Sequence, residues 1–157
     1  MNVFTGGSFD LFHAGHVNFL RACKKLAGAG KVTVALNDSE FIRQYKGKAP
    51  IIENQDRKTI LEACVYVDNV IWNTGGKDSS ETLRLTYRGL NSSQYDSRPL
   101  VGFPDIIAIG DDWAKKDYYA QMGFTQEWLD QRGILLCYIP YTAGISSTEI
   151  KERLRAN

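Results

Sequence analysis

The two histidines of this 157-residue chain, His13 and His16, stand three positions apart in the stretch Gly6-Gly7-Ser8-Phe9-Asp10-Leu11-Phe12-His13-Ala14-Gly15-His16. Two imidazoles can donate hydrogen bonds to phosphate oxygens and carry charge when protonated. Gly6 and Gly7 close an apolar run, Val3–Thr5, and without a β-carbon they let the backbone approach a bulky ligand such as a nucleotide phosphate. A helix is expected to begin close to His16, so its free N–H groups and positive dipole end would face the same place and favour an anion. Zinc is a poor fit: Gly15 interrupts the His-x-x-His spacing, the helical His-Glu-x-x-His pattern is missing, and no neighbouring cysteine completes a ligand set.

A second group of this kind is Gly144-Ile145-Ser146-Ser147-Thr148. At the start of a helix its hydroxyls and N–H groups suit β- and γ-phosphates, while Ser146 or Ser147 can equally serve as a plain N-cap. Gly110, Asp111, Asp112 and Trp113 follow another apolar run; a glycine, two carboxylates and an indole at a strand end can hold a base and ribose.

These groups need a scaffold that gathers strand ends. Apolar runs at Val3–Thr5, Val32–Leu36, Asn69–Trp72, Asp105–Ile109 and Ile134–Ile139 are short and rich in Val and Ile, as buried strands are. Helical spacing separates them: Val17, Leu20, Cys23, Lys24 and Ala27 fall near one face, as do Ile60, Leu61, Cys64 and Val65. Alternating strands and helices imply an α/β fold with a parallel sheet, whose right-handed crossovers put ligand sites at the carboxyl ends of the strands. Thr74–Phe103 is polar and punctuated by glycine and proline; it is expected to hold one helix, Ser80–Arg88, then a loop.

Composition narrows the function classes. Nineteen Lys plus Arg against 18 Asp plus Glu leave no field to draw a polyanion, so nucleic acid is not expected as a partner. Hydrophobic residues make up 43% of the chain, enough for one core without staples. Cys23, Cys64 and Cys137 are odd in number and widely spaced, which suits free thiols in a reducing cytoplasm. The chain shows neither signal-peptide character nor a membrane-length apolar run, so a soluble cytoplasmic protein is expected.

From Gly7 to His16 the chain resembles the nucleotidyltransferase superfamily, whose first signature is Gly-x-Phe-Asp-x-x-His-x-Gly-His, and Ile145–Thr148 resembles its second. Gly110–Trp113, Asp56–Glu62 and Tyr66–Ile71 are similar to the glycerol-3-phosphate cytidylyltransferase branch. The resemblance implies one Rossmann-like domain over residues 1–157, a three-layer sandwich whose five-stranded parallel sheet runs 3-2-1-4-5, with an insertion around 74–104. It implies transfer of a nucleotidyl group from CTP to a small phosphorylated alcohol or sugar, glycerol 3-phosphate being one option, with release of pyrophosphate. The alternatives are an adenylyltransferase using ATP and a catalytically silent nucleotide-binding regulator.

By that resemblance His13 and His16 grip the α-phosphate and leaving oxygen, with Lys48 or Lys46 approaching from the loop after the second strand. The nucleotide would meet Gly6, Gly7, Ser8, Phe9, Asp10, Gly15, Gly110, Asp111, Asp112, Trp113, Thr142, Gly144, Ile145, Ser146, Ser147 and Thr148. Asp38, Lys46 and Arg57 are candidates for acceptor contacts, Arg57 through a bidentate guanidinium–phosphate pair. Mg²⁺ would be held mainly by nucleotide phosphates and water, with no protein metal site, and a homodimer is implied. The chain departs from the branch at two arginine positions, where it has Val65 and Tyr141; Arg84, Arg88 and Arg98 are possible substitutes.

Overall fold

The computed structural model describes residues 1–73, 79–87, 103–112, 119 and 122–157. Along the chain these form β1 (Val3–Gly7), α1 (Ala14–Ala27), β2 (Val32–Leu36), α2 (Ser39–Lys46), α3 (Asn54–Glu62) and β3 (Asn69–Trp72), then α4 (Ser79–Tyr87), β4 (Ile106–Gly110), α5 (Gln126–Asp130), β5 (Leu135–Ile139) and α6 (Ser147–Ala156). The five strands make one sheet in the order β3-β2-β1-β4-β5, and every pairing is parallel. β2, flanked on both edges and covered on both faces, is buried at all five positions, which is why Val-Thr-Val-Ala-Leu reads as a continuous run rather than an alternation.

Successive side chains along each strand feed opposite layers. Val3, Val32, Ile106 and Ala108 pack with Cys23 and Ala27 of α1, and Val34 and Leu36 pack with Leu20 of α1 and Leu61 of α3. On the other face Phe4, Ala35, Ile107 and Ile109 meet Leu83 of α4 and Leu129 of α5. The result is the expected helix–sheet–helix sandwich. The strand ends bearing Gly7 and Gly110 therefore lie at one rim, in register with Leu36 on β2 and Ile139 on β5.

Four local expectations shift. α1 begins at Ala14 with His13 as its N-cap, two residues before His16. The apolar face foreseen around Ile60–Val65 reduces to Leu61 and Cys64, which pack on one core cluster: α3 ends at Glu62, and Ile60 and Val65 are exposed. Lys46 ends a helix, α2, that periodicity did not reveal, and Gly47 caps it in the left-handed region at φ 71°. α4 runs Ser79–Tyr87 instead of Ser80–Arg88. Trp113, Arg88, Arg98 and most of the 74–104 stretch lie outside the described residues. Among the described residues no helix is long and apolar enough to cross a membrane, and Cys23, Cys64 and Cys137 are free.

Candidate active site

The turn from β1 into α1 is strained and firmly held. Phe9 (φ 47°) and Leu11 (φ 48°) both adopt left-handed backbone, which costs a non-glycine residue about 1–2 kcal/mol. Asp10 lies between them, 7% exposed, and its carboxylate accepts the N–H groups of Ile51 and Ile52 at 3.0 and 2.9 Å and pairs with Lys151 at 3.3 Å. Burial alone would raise its pKa, but these donors prevail and hold it below the usual carboxylate value.

Arg57 supports the same turn from below. It is 1% exposed, and its donors reach the carbonyls of Ser8, Asn37 and Ile52 at 2.6, 2.8 and 3.0 Å, Asn54 Oδ1 at 2.6 Å and, more weakly, Ser39 Oγ at 3.5 Å. All five guanidinium N–H groups are thereby engaged. Arg57 therefore does not reach an acceptor phosphate as the sequence suggested; it ties the ends of β1 and β2 to the start of α3. Asp38 is likewise an N-cap, its Oδ1 accepting the Phe41 N–H at 2.7 Å, and it lines neither cavity described below.

The two histidines cap α1 in an uncommon way. His13 Nδ1 accepts the Gly15 N–H at 3.1 Å, and His16 Nδ1 accepts the His13 N–H at 3.3 Å. A backbone N–H only donates, so both Nδ1 atoms must be unprotonated, and each neutral ring carries its proton on Nε2. Burial, reinforced by the neighbouring His13 and Lys46 and opposed by Asp10, lowers the His16 pKa to about 4. Burial also lowers that of His13, against the pull of Glu149. The rings stack with centroids 3.9 Å apart. At neutral pH the pair thus consists of two uncharged Nε2–H donors and not two cations. Gly15 is required here, because a β-carbon on it would sit 2.8 Å from His13 Cε1.

At the far end of the chain Ser146 is the N-cap of α6, its hydroxyl accepting the Glu149 N–H at 3.0 Å. The Ser147 hydroxyl donates to the Asp10 carbonyl at 2.7 Å, so it joins the two signatures and has no proton left for a phosphate. What α6 offers is the Ser146 O–H, which its cap bond does not use, and backbone: the N–H groups of Ser147 and Thr148 stand in its first turn, where no intrahelical acceptor exists.

These elements surround a cavity of about 480 Å³. β1 and the turn contribute Gly6, Gly7, Ser8 and Phe9; α1 contributes His13, Gly15, His16 and Phe19; Lys46 enters from α2. The rest is Gly110 and Asp112 after β4, Ile139, Pro140, Tyr141 and Thr142 after β5, and Ile145 to Thr148. Asp111 is exposed and not part of this lining, its Oδ1 accepting the Tyr141 N–H at 3.0 Å, and Asp10 and Gly144 are also outside the lining. Of the carboxylates among the described residues only Asp112 lines the cavity. No group of three or more metal-ligating side chains occurs among those residues.

A smaller cavity of about 320 Å³ adjoins it and shares Ser8, Phe9, His16, Lys46, Ser147 and Thr148. Lys48 lines this one only, so Lys46 and not Lys48 stands on the common wall. Lys151, which sequence reasoning passed over, lines it too; its place one helical turn after Ser147 was the available signal. Val65 is 84% exposed and lines neither cavity. Arg84 lies 5.7 Å from the Trp128 ring centroid and also lines neither.

The model for the cytidylyltransferase-like family matches residues 4–153. The chain belongs to that family. Among curated relatives, it is 33% identical to an FAD synthase of Pyrococcus horikoshii over 112 residues, 71% of this chain and 64% of that protein. It is 31% identical to the glycerol-3-phosphate cytidylyltransferase of Bacillus subtilis over 152 residues, 97% and 95% of the two chains. The chain therefore spans less than two thirds of the first relative and nearly all of the second. A lipopolysaccharide core biosynthesis protein from Thermoplasma volcanium shares the fold, with a TM-score of 0.62 at 24% identity, over 90% of this chain and 96% of that one.

Proposed function

We propose that this member of the cytidylyltransferase-like family transfers a nucleotidyl group from a nucleoside triphosphate to a small phosphorylated acceptor. The observation that carries the reading is the pair of Nε2–H donors, fixed by their own helix cap, on the wall of a cavity that the first turn of α6 also lines. A phosphate oxygen of the acceptor attacks the α-phosphorus in line; the new O–P bond forms as the bond to the β-phosphate oxygen breaks, and pyrophosphate leaves with that electron pair. The acceptor is already an anion near neutral pH, so the site needs donors for the charge gathering around phosphorus more than it needs a base.

The assignment of roles follows the shared wall. His16 and Lys46 line both cavities, so they are the residues for the reacting phosphate. His13 lines the larger cavity alone and takes the triphosphate. Lys48, on the acceptor side, steers the incoming phosphate. The N–H groups of Ser147 and Thr148 take the outer phosphates, as helix N-termini favour anions. Mg²⁺ fits as an ion carried by the triphosphate: the oxygens of Asp10 are engaged by N–H groups and Lys151, which leaves Asp112 as the carboxylate near its path. When bound, the ion would neutralise phosphate charge.

CTP with a phosphorylated alcohol or sugar is the first reading, supported by the nearly full-length alignment with a glycerol-3-phosphate cytidylyltransferase. ATP is the second, supported by the FAD synthase among the relatives. Pyrophosphate release across the four common triphosphates, with a panel of phosphomonoesters, separates them: CTP preference supports the first and ATP preference the second. Tight nucleotide binding without turnover in any combination would overturn both in favour of a nucleotide-binding regulator.

A further inference from the structure

The smaller cavity has a charge make-up of its own. Lys46, Lys48 and Lys151 line it, while Asp10 is its one carboxylate among the described residues. With His16 neutral, three cations facing one anion leave an excess of two positive charges, the charge of one phosphomonoester dianion in reverse. Asp10 has little left for a ligand: its oxygens accept from Leu11, Ile51 and Ile52 and from Lys151. A cationic ligand could otherwise rely on aromatic rings, but Phe9 is the only large aromatic side chain in the described lining, and ammonium recognition relies on a cage of several. A volume near 320 Å³ suits a small acceptor.

Lys151 completes this arrangement from α6, opposite in sequence to the lysines that follow β2. Without it Lys46 and Lys48 would face Asp10 with an excess of one positive charge in place of two, and the carboxylate would lose its ion pair, a setting less hostile to a positively charged ligand. Resting on the nucleotidyl-transfer reading, we propose that Lys151 sets acceptor specificity: the cavity takes a phosphomonoester whose remainder bears no positive charge and rejects amino-alcohol phosphates.

Calorimetric titration of the full chain, loaded with a non-hydrolysable CTP analogue, tests this with glycerol 3-phosphate and phosphocholine, which share a phosphate and differ in tail charge. Glycerol 3-phosphate should bind at least 30-fold more tightly. Lys151→Met should shrink that ratio at least 5-fold, and Lys151→Arg should restore it. Equal or tighter binding of phosphocholine to the wild-type protein overturns the proposal, as does a ratio unmoved by Lys151→Met. So does an absence of binding, at millimolar concentration, by both glycerol 3-phosphate and glucose 1-phosphate. Lys151→Gln replaces Lys151→Met, with the same expected shrinkage of the ratio, if the latter unfolds the protein. Absence of turnover in the triphosphate panel, with this binding preference intact, would strike the nucleotidyl-transfer reading alone.

Discussion

Two helix N-termini meet at the larger cavity, and they present themselves to it differently. At α1 the caps are imidazoles, which satisfy the backbone through Nδ1 and still carry an N–H on the opposite edge. At α6 the side chains are hydroxyls: Ser147 spends its proton on the Asp10 carbonyl, whereas the Ser146 cap accepts the Glu149 N–H and keeps its own proton. The imidazoles and the Ser146 hydroxyl each hold the fold and can still serve a ligand, whereas Ser147 has already given its one proton. Two imidazole donors should therefore dominate the chemistry at the first end, and backbone N–H groups together with the Ser146 hydroxyl should serve the second.

His16→Ala is the strongest way to break that contrast. Removing one preorganised donor to a developing charge lowers kcat about 10²–10³-fold, read as pyrophosphate release, while the Kd for nucleotide should move far less. A variant within 10-fold of wild-type kcat would make the two ends equivalent.

Arg57→Lys attacks the support beneath the turn between them. A lysine cannot replace five N–H donors, and buried carbonyls left unpaired should lower stability by about 3 kcal/mol in urea denaturation. A loss below about 1 kcal/mol would return Arg57 to the ligand-binding role first expected of it.

Acid should sharpen the difference, because only the α1 caps titrate. The folded pKa of His16, about 4, lies below the ordinary histidine value of 6.5, so the unfolded chain binds the proton first as pH falls. Stability is intact above pH 6.5 and declines by about 3 kcal/mol as pH 4 is reached. Denaturation midpoints at pH 7.5 and 4.5 should show this slope in the wild type and lose most of it in His16→Asn. A slope of the same size in both would place the titration elsewhere.

The smallest effects belong to α6. Ser146→Ala removes an N-cap and should cost about 1 kcal/mol. Ser147→Ala removes one hydrogen bond to the turn, a loss of about 1–2 kcal/mol seen in the melting temperature, with turnover at saturating nucleotide within a few-fold of wild type. A fall in kcat as deep as that of His16→Ala would show that Ser147 serves the phosphate after all.

The strands were legible because each is a short Val/Ile run buried from both faces, as at Val32–Leu36. The two signatures were legible because glycine and serine at element ends answer to local backbone geometry. What stayed hidden is tertiary. Histidine is not among the usual capping residues, so the start of α1 was placed late. Arg57 and Asp38 carry charges that suit a phosphate or a substrate equally well; only the three-dimensional count of their partners shows them engaged with backbone. Lys151 has no meaning until α6 docks beside residue 10.

The Ser147–Asp10 bond joins positions 137 apart in the chain, and that separation dictates an order of events during synthesis. At about 5–20 residues per second, roughly 7–27 s pass between emergence of the first turn and arrival of the serine that fastens it. During that interval the nascent chain can pair β1 with β2 and seat Arg57, yet the turn lacks its last tether and the cavity lacks a wall. A ribosome-bound intermediate arrested before α6 should therefore have most of the sheet and no competent nucleotide pocket.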